Sequence, residues 1–221
     1  MKIKVTKNGP YEVDKDIPLE REEAQSDGED GCCCWKKTGK VKTEVDYKLC
    51  RCGQSKNLPF CDKSHQSTGF QADDADTAIK FADGAREYQG DKLTLCDKPE
   101  LCATARFCHR AGSAWNLAEQ KDKKSEKILK EEVHDCPSGR LILKDKKTGK
   151  IVEEKYPKSI SLTEDKPAGV SGPIWVKGGI KIESPDGKSY EKRNRVTLCR
   201  CGKSRNKPFC DGSHISEGFK E

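Results

Sequence analysis

Residues 49–70 read LCRCGQSKNLPFCDKSHQSTGF and residues 198–219 read LCRCGKSRNKPFCDGSHISEGF. Sixteen of the 22 positions are identical. Each copy holds Cys-x-Cys, then eight residues, then Cys-Asp, with a histidine four places beyond the third cysteine. Cys50, Cys52, Cys61 and His65 are thus repeated as Cys199, Cys201, Cys210 and His214. Three thiolates beside one imidazole are the donors that zinc and iron-sulfur clusters select. The function is expected to lie in what the two sites hold.

The repeat extends upstream. Gly9-Pro-Tyr-Glu-Val13 followed by Ile17-Pro-Leu19 recurs as Gly172-Pro-Ile-Trp-Val176 followed by Ile180-Lys-Ile182. Each module therefore opens on the same pair of short strands, and the turn signals Lys177-Gly-Gly and Pro185-Asp-Gly-Lys suit β-hairpins. A last strand, Asp46 to Leu49 or Arg195 to Leu198, runs into the first ligand. The copies are 163 residues apart at Gly9 but 149 at Cys50, so the first module carries 14 additional residues between Leu19 and Cys50. That insert, within residues 20–46, includes Cys32-Cys-Cys34 and Trp35. Neighbouring side chains on a strand point to opposite faces, so these thiols read as loop residues before they read as one more metal or redox site.

Between the modules, residues 73–169 open on the acidic Asp73-Asp-Ala-Asp76 and close near Lys166-Pro-Ala-Gly169. A helix is expected over Leu101 to Gln120 and another over Glu126 to Val133. Leu141-Ile-Leu143 and Lys150-Ile-Val152 read as a hairpin across Lys146 to Gly149. The fold class expected is α+β, with small β-rich modules at 1–72 and 170–221 flanking an α+β domain.

Hydrophobic residues are 33% and charged residues 36% of the 221. A large apolar core is therefore not expected, and metal is a natural staple for domains this small. The 13 cysteines follow ligand spacings, and no signal-like apolar run stands at the N-terminus. A reducing, cytoplasmic location is the expectation. No stretch approaches the roughly 18 apolar residues of a membrane span. The net charge of +6 comes from lysines interleaved with acids, as in Glu119 to Lys127. That pattern is a solvated face rather than a nucleic-acid surface.

Cysteines separated by one residue can lie on the same side of an extended strand or tight turn. The Asp-x-Ser between Cys61 and His65, and between Cys210 and His214, reads as a helix start at which Asp62 or Asp211 caps free amides. Those amides would offset the charge of three thiolates. Spacing alone does not choose the metal, since zinc accepts three cysteines and a histidine and a [2Fe-2S] cluster takes two protein ligands per iron.

Taken with Ser204, Pro208, Asp211 and Gly212, the second copy resembles the motif of the NEET family of CDGSH iron-sulfur proteins at every position. The first copy departs once, at Lys63, where the family has a glycine that tolerates a strained turn. The resemblance implies two [2Fe-2S] clusters. One iron of each would be held by Cys50 and Cys52 or Cys199 and Cys201, and the other by Cys61 and His65 or Cys210 and His214. Single-module members are homodimers, so a tandem chain is expected to be a monomer whose two modules form an internal pseudo-dimer.

Cys136-Pro-Ser-Gly139 resembles the last element of a ferredoxin motif. Cys96 and Cys102 keep the outer pair of the usual cysteine run, with Pro99 between them. The middle segment is thereby similar to the divergent mono-cluster ferredoxin-like domain found fused to CDGSH modules. Cys96, Cys102, Cys108 and Cys136 are candidates for a [3Fe-4S] or [4Fe-4S] cluster, and a domain that has lost its cluster is the other reading. His109 and His134 read as surface or capping residues, and Trp115 and Trp175 as packing residues.

No Ser/His/Asp set, phosphate loop or dinucleotide fingerprint is present, so the chain reads as a non-enzyme. One-electron transfer or redox sensing is the leading expectation, with redox proteins or apo iron-sulfur acceptors as partners. Cluster transfer is related to it, because a lone histidine ligand can be protonated and released. A zinc-stapled interaction module is the alternative from another class.

Overall fold

The computed structural model describes residues 1–14, 16–26, 28, 31–43 and 46–221. Of the insert within 20–46, residues 27, 29, 30, 44 and 45 lie outside the described residues. The first module contributes β1 (Lys2–Val5), β2 (Tyr11–Val13), β3 (Leu19–Gln25), β4 (Cys34–Lys40), β5 (Tyr47–Leu49) and the single turn α1 (Ser64–Ser67). Then follow β6 (Arg86–Gln89), β7 (Leu93–Asp97), α2 (Ala114–Glu119), α3 (Lys123–Asp135), β8 (Leu141–Asp145) and β9 (Ile151–Val152). The chain closes with β10 (Ser159–Asp165), β11 (Val170–Lys177), β12 (Lys181–Glu183), β13 (Arg195–Leu198) and α4 (Ser213–Ser216).

The two modules exchange a strand. One sheet runs β12-β1-β2-β5 and the other β13-β11-β10-β3-β4. β12 lies parallel to β1 with Ile182 beside Ile3, and β3 lies parallel to β10 with Leu19 beside Ile160. Leu19 and Ile182 are the same position of the repeat, so the crossing is reciprocal. The strand pair expected at the start of each module is therefore not a hairpin. After β11, Gly178 and Gly179 both turn at positive φ, and the chain passes to the opposite sheet.

The exchange merges the apolar residues of the two halves into one core. Ile3, Val5, Tyr11, Val13 and Leu19 pack in one buried cluster with Ile160, Leu162, Ile174, Val176 and Ile182. The edge hairpin β3-β4 sets Glu20, Glu22 and Glu23 opposite Lys40, Lys37 and Lys36. Cross-strand charges of this kind support the pairing and protect an exposed edge.

The middle domain has its own core of Leu93, Leu95, Leu117, Leu129, Val133, Leu141 and Leu143 beneath the sheet β6-β7-β8-β9. Two expectations change here. The helix expected over 101–120 is reduced to α2, preceded by two 3-10 turns at Pro99–Leu101 and Phe107–His109. Thr104, Arg106 and Ser113 adopt positive φ, which breaks any continuous helix. Conversely, α3 is longer than expected. Asp122 caps it by accepting the amides of Lys124 and Ser125 at 3.0 and 2.9 Å.

The boundary at 169 also moves. β10 pairs with β11 and β3, so residues 159–165 belong to the sheets of the modules. A third small cluster joins the insert to the middle domain: Cys32 and Ala24 pack with Phe107, and Trp35 stacks 4.8 Å from Phe107 and 5.2 Å from Trp175. Cys32 is thus a buried loop thiol, while Cys34 is exposed with its sulfur 3.6 Å from that of Cys33. Among the described residues no helix is long and apolar enough to cross a membrane.

Candidate metal centre

In each module the last strand delivers the Cys-x-Cys turn, and the residues that follow fold back over it. Cys50 N–H donates to Pro59 O at 2.8 Å and Cys61 N–H to Lys48 O at 2.8 Å. The second copy repeats this, with Cys199 to Pro208 at 2.9 Å and Cys210 to Thr197 at 3.0 Å. These bonds carry Cys61 and Cys210 back toward the first cysteine pair. Ser55 and Ser204 brace the return loop, each hydroxyl donating to the phenylalanine carbonyl before the third cysteine, at 2.6 and 2.7 Å.

The donors meet in pairs. Cys50 Sγ and Cys52 Sγ are 3.7 Å apart, and so are Cys199 Sγ and Cys201 Sγ. Cys61 Sγ lies 3.5 Å from His65 Nδ1 and Cys210 Sγ 3.5 Å from His214 Nδ1. Two donors on one tetrahedral metal with bonds of about 2.3 Å to sulfur and 2.0 Å to nitrogen stand about 3.8 Å (sulfur to sulfur) and 3.5 Å (sulfur to nitrogen) apart. Each pair therefore has the spacing of two ligands on one ion. Among the described residues no group of three or more His, Cys, Asp or Glu side chains is placed to hold a single ion.

The electrostatics suit metal ligation. The hydrogen bond from Cys52 draws Cys50 down to about 6, and that from Cys201 does the same for Cys199. Each partner thiol is correspondingly raised. Burial pushes Cys61 and Cys210 up, and the neighbouring Cys50 or Cys199 adds to the push. Such clustered thiols favour a cation that neutralises them together. Burial lowers His214 to about 4, which keeps its imidazole in the neutral form that binds metal.

The turn between third cysteine and histidine differs from the expectation in detail. The residue before each four-residue helix is left-handed, Lys63 at φ 74 and Gly212 at φ 88. Its amide is aimed at sulfur, 3.4 Å from Cys61 Sγ or Cys210 Sγ. Asp62 accepts the amides of Ser64 at 2.9 Å and Lys56 at 2.8 Å. Asp211 does the same with Ser213 at 3.0 Å and Arg205 at 2.8 Å. The aspartate therefore ties the two arms of the loop together. Lysine at a left-handed position is strained where glycine is not. Lys63→Gly is accordingly expected to stabilise the protein by about 0.5–1 kcal/mol, read as a rise in thermal midpoint.

The ligand pattern assigns no role to the arginine between the first two cysteines, although both copies contain it. Arg51 and Arg200 are fully buried. Arg200 donates to Gly172 O at 2.6 Å and Thr163 O at 2.8 Å and pairs with Glu164 at 2.9 Å. Arg51 donates to Thr6 O at 3.2 Å and pairs with Asp74. Arg200 thereby anchors its metal loop to β10 and β11, and Arg51 ties its loop to the turn after β1 and to the segment that follows the first module. Tyr11 links the modules, its hydroxyl donating to Cys199 O at 2.8 Å and Pro208 O at 3.1 Å.

The two loops also abut directly. A Cβ on Gly53 would fall 2.5 Å from Cys201 O, and one on Gly202 2.2 Å from Cys52 O. Only glycine permits so close an approach.

The middle domain gathers three of its four candidate cysteines. Cys102, Cys108 and Cys136 line one small cavity with Arg140. Burial pushes Cys108 up to about 12, with Cys136 and Cys102 adding to it. Cys96 is elsewhere, its thiol 3.7 Å from Glu87 Oε1. The period of two along β7 explains this correction: Asp97, one residue on, is the one that reaches Arg140 at 2.6 Å and Trp115 Nε1 at 3.1 Å. Trp115 packs against the domain core and the His109 ring lies 5.6 Å from it. His134 Nε2 is 3.4 Å from Val152 O.

Comparison with known families adds an independent finding. The model described as an iron-binding zinc finger of CDGSH type matches residues 8–66 and again residues 171–215. The model described as a divergent 4Fe-4S mono-cluster matches residues 88–146. No curated protein and no solved structure matches the chain.

Proposed function

Since the chain belongs to the CDGSH family of iron-binding proteins, with a divergent mono-cluster domain set between its two modules, we propose that it holds two [2Fe-2S] clusters and serves in one-electron transfer or redox sensing. The observation that carries this is the pairwise closure of the donors, 3.7 Å within each cysteine pair and 3.5 Å within each cysteine-histidine pair. A mononuclear zinc site needs four donors around one point, whereas a binuclear cluster needs two around each of two irons.

Cys50, Cys52, Cys61 and His65 would hold the first cluster, and Cys199, Cys201, Cys210 and His214 the second. When bound, such a cluster supplies a reversible one-electron couple whose potential rises when histidine replaces cysteine. The chain's own groups serve that couple. The amides of Lys63 and Gly212 donate toward Cys61 and Cys210 and thereby stabilise charge on sulfur. Cys102, Cys108 and Cys136 offer three thiolates to a further cluster, with Arg140 in the same cavity to offset their charge.

The pairing of the two modules within one chain supports a monomer. Redox proteins or apo iron-sulfur acceptors are its partners in this reading. Iron and acid-labile sulfide analysis of anaerobically purified protein tests it. Four irons and four sulfides per chain are expected from the two modules, with about three or four more irons if the middle domain is occupied. Colourless protein containing zinc and no sulfide would refute the cluster assignment.

A further inference from the structure

The two CDGSH sites share a ligand pattern but not an environment. In the first module Cys61 and His65 are half-buried, and Lys63 between them is exposed. In the second module Cys210 and His214 are each 3% exposed. The cover comes from the middle domain, through the loop from Cys102 to Arg106. A Cβ on Gly212 would lie 2.1 Å from Thr104 Oγ1 and 3.5 Å from Cys102 O. Asn206 Nδ2 donates to Glu100 O at 2.9 Å, fixing the other side of the same metal loop. The covering loop is itself held, since Arg106 pairs with Asp165 at 2.7 Å and donates to Thr104 O at 3.2 Å. Glycine at 212 and lysine at 63 thus have a structural reason: one position faces a packed threonine and the other faces water.

We propose that this cover gives the two sites different jobs: the first is the port where metal or cluster passes to an external acceptor rich in thiolates, and the second is sealed under the middle domain for use inside the molecule. The proposal rests on metal occupancy of the sites argued above. Exchange at the port is ligand substitution. Donor atoms of the acceptor would replace Cys61 and His65 first and then Cys50 and Cys52, no electron is gained or lost, and the three freed thiolates take protons from water. An acceptor can approach those two side chains from solvent at the first module. At the second, the backbone of Cys102 and the side chain of Thr104 occupy that approach.

The test uses the loaded full-length protein at fixed neutral pH, mixed anaerobically with an excess of EDTA, which takes up ferric iron and zinc alike. Thiols freed with time are alkylated with iodoacetamide and assigned by peptide mass. Cys50, Cys52 and Cys61 are expected to become reactive roughly tenfold or more before Cys199, Cys201 and Cys210, because release from the second site waits on local opening of the covering loop. Gly212→Lys, which displaces Thr104, is expected to bring the slow set up to the fast rate. Should that variant fail to fold, Arg106→Ala loosens the same loop by removing its pair with Asp165.

Equal rates for the two sets, or a slow set that neither opening variant accelerates, would overturn the proposal. The order of release is read in the same way whether the metal is iron or zinc. Sulfide analysis of the same samples reports separately on the cluster assignment.

Discussion

Replacing Arg195 by methionine is expected to destabilise the protein by about 3–5 kcal/mol, the cost typical of breaking a buried ion pair. The side chain leaves β13 fully buried and enters the middle domain. One guanidinium nitrogen donates to the carbonyls of Val133, His134 and Cys136, the latter two at 2.8 and 3.1 Å. The other donates to Leu141 O at 3.1 Å and to Glu153 Oε1 at 2.8 Å. A cation is thus set against the C-terminal end of α3, where the helix dipole favours it, and it also fastens the segment that carries Cys136. Methionine can fill the volume but offers nothing to four carbonyls and a carboxylate. Lysine should rescue little, because a point charge cannot reproduce the planar fork. Since domains are typically stable by only about 5–15 kcal/mol, the denaturant midpoint should fall sharply. A loss below about 1 kcal/mol, the worth of one ordinary hydrogen bond, would show that this residue is not the joint between the domains.

The second large effect is expected at Gly202→Val. Its φ of 78 is costly for a β-branched residue, and the new Cβ would sit 2.2 Å from Cys52 O and 2.7 Å from Cys52 C. The obstacle is backbone and cannot rotate aside. Left-handed strain and overpacking together are expected to cost on the order of 4 kcal/mol. The injury should not stay local, because the atoms struck belong to the metal loop of the other module. Metal per chain is therefore expected to fall by more than the second site's share. A variant with full metal content and an unchanged thermal midpoint would contradict the close packing of the two loops.

Much of the candidate site was legible in the sequence because its ligands are local. A Cys-x-Cys turn and a Cys-x3-His turn carry their own geometry, and their recurrence at residues 49–70 and 198–219 marked them. The exchange of β3 and β12 was not legible. Alternating apolar positions say which face of a strand is buried, and Leu19 and Ile182 are buried equally well in either sheet. β10 is hard to recognise because its likeness to β1 rests on few residues, Ile160 and Thr163 answering to Ile3 and Thr6, at an offset of 157 residues rather than the 163 of Gly9 and Gly172.

The irregular run after Cys102 was hidden for another reason: Thr104 and Arg106 take positive φ with no glycine beside them to announce it. Cys96 was grouped with Cys102 on spacing, and one step along β7 sends its thiol to Glu87 instead. The cover over the second site could not be seen at all. It is a contact between segments more than 100 residues apart, hinted at only by a glycine where the other copy has a lysine.

The parallel pairing of β1 with β12 and of β10 with β3 sets how the molecule behaves on dilution. Two halves joined by a peptide tether meet at an effective concentration of about millimolar, fixed by the tether rather than by the amount of protein present. The swapped strands should therefore stay engaged in a nanomolar solution, where a weakly associating pair of separate chains would come apart. Scarcity of the protein would leave the facing of its two metal loops unchanged.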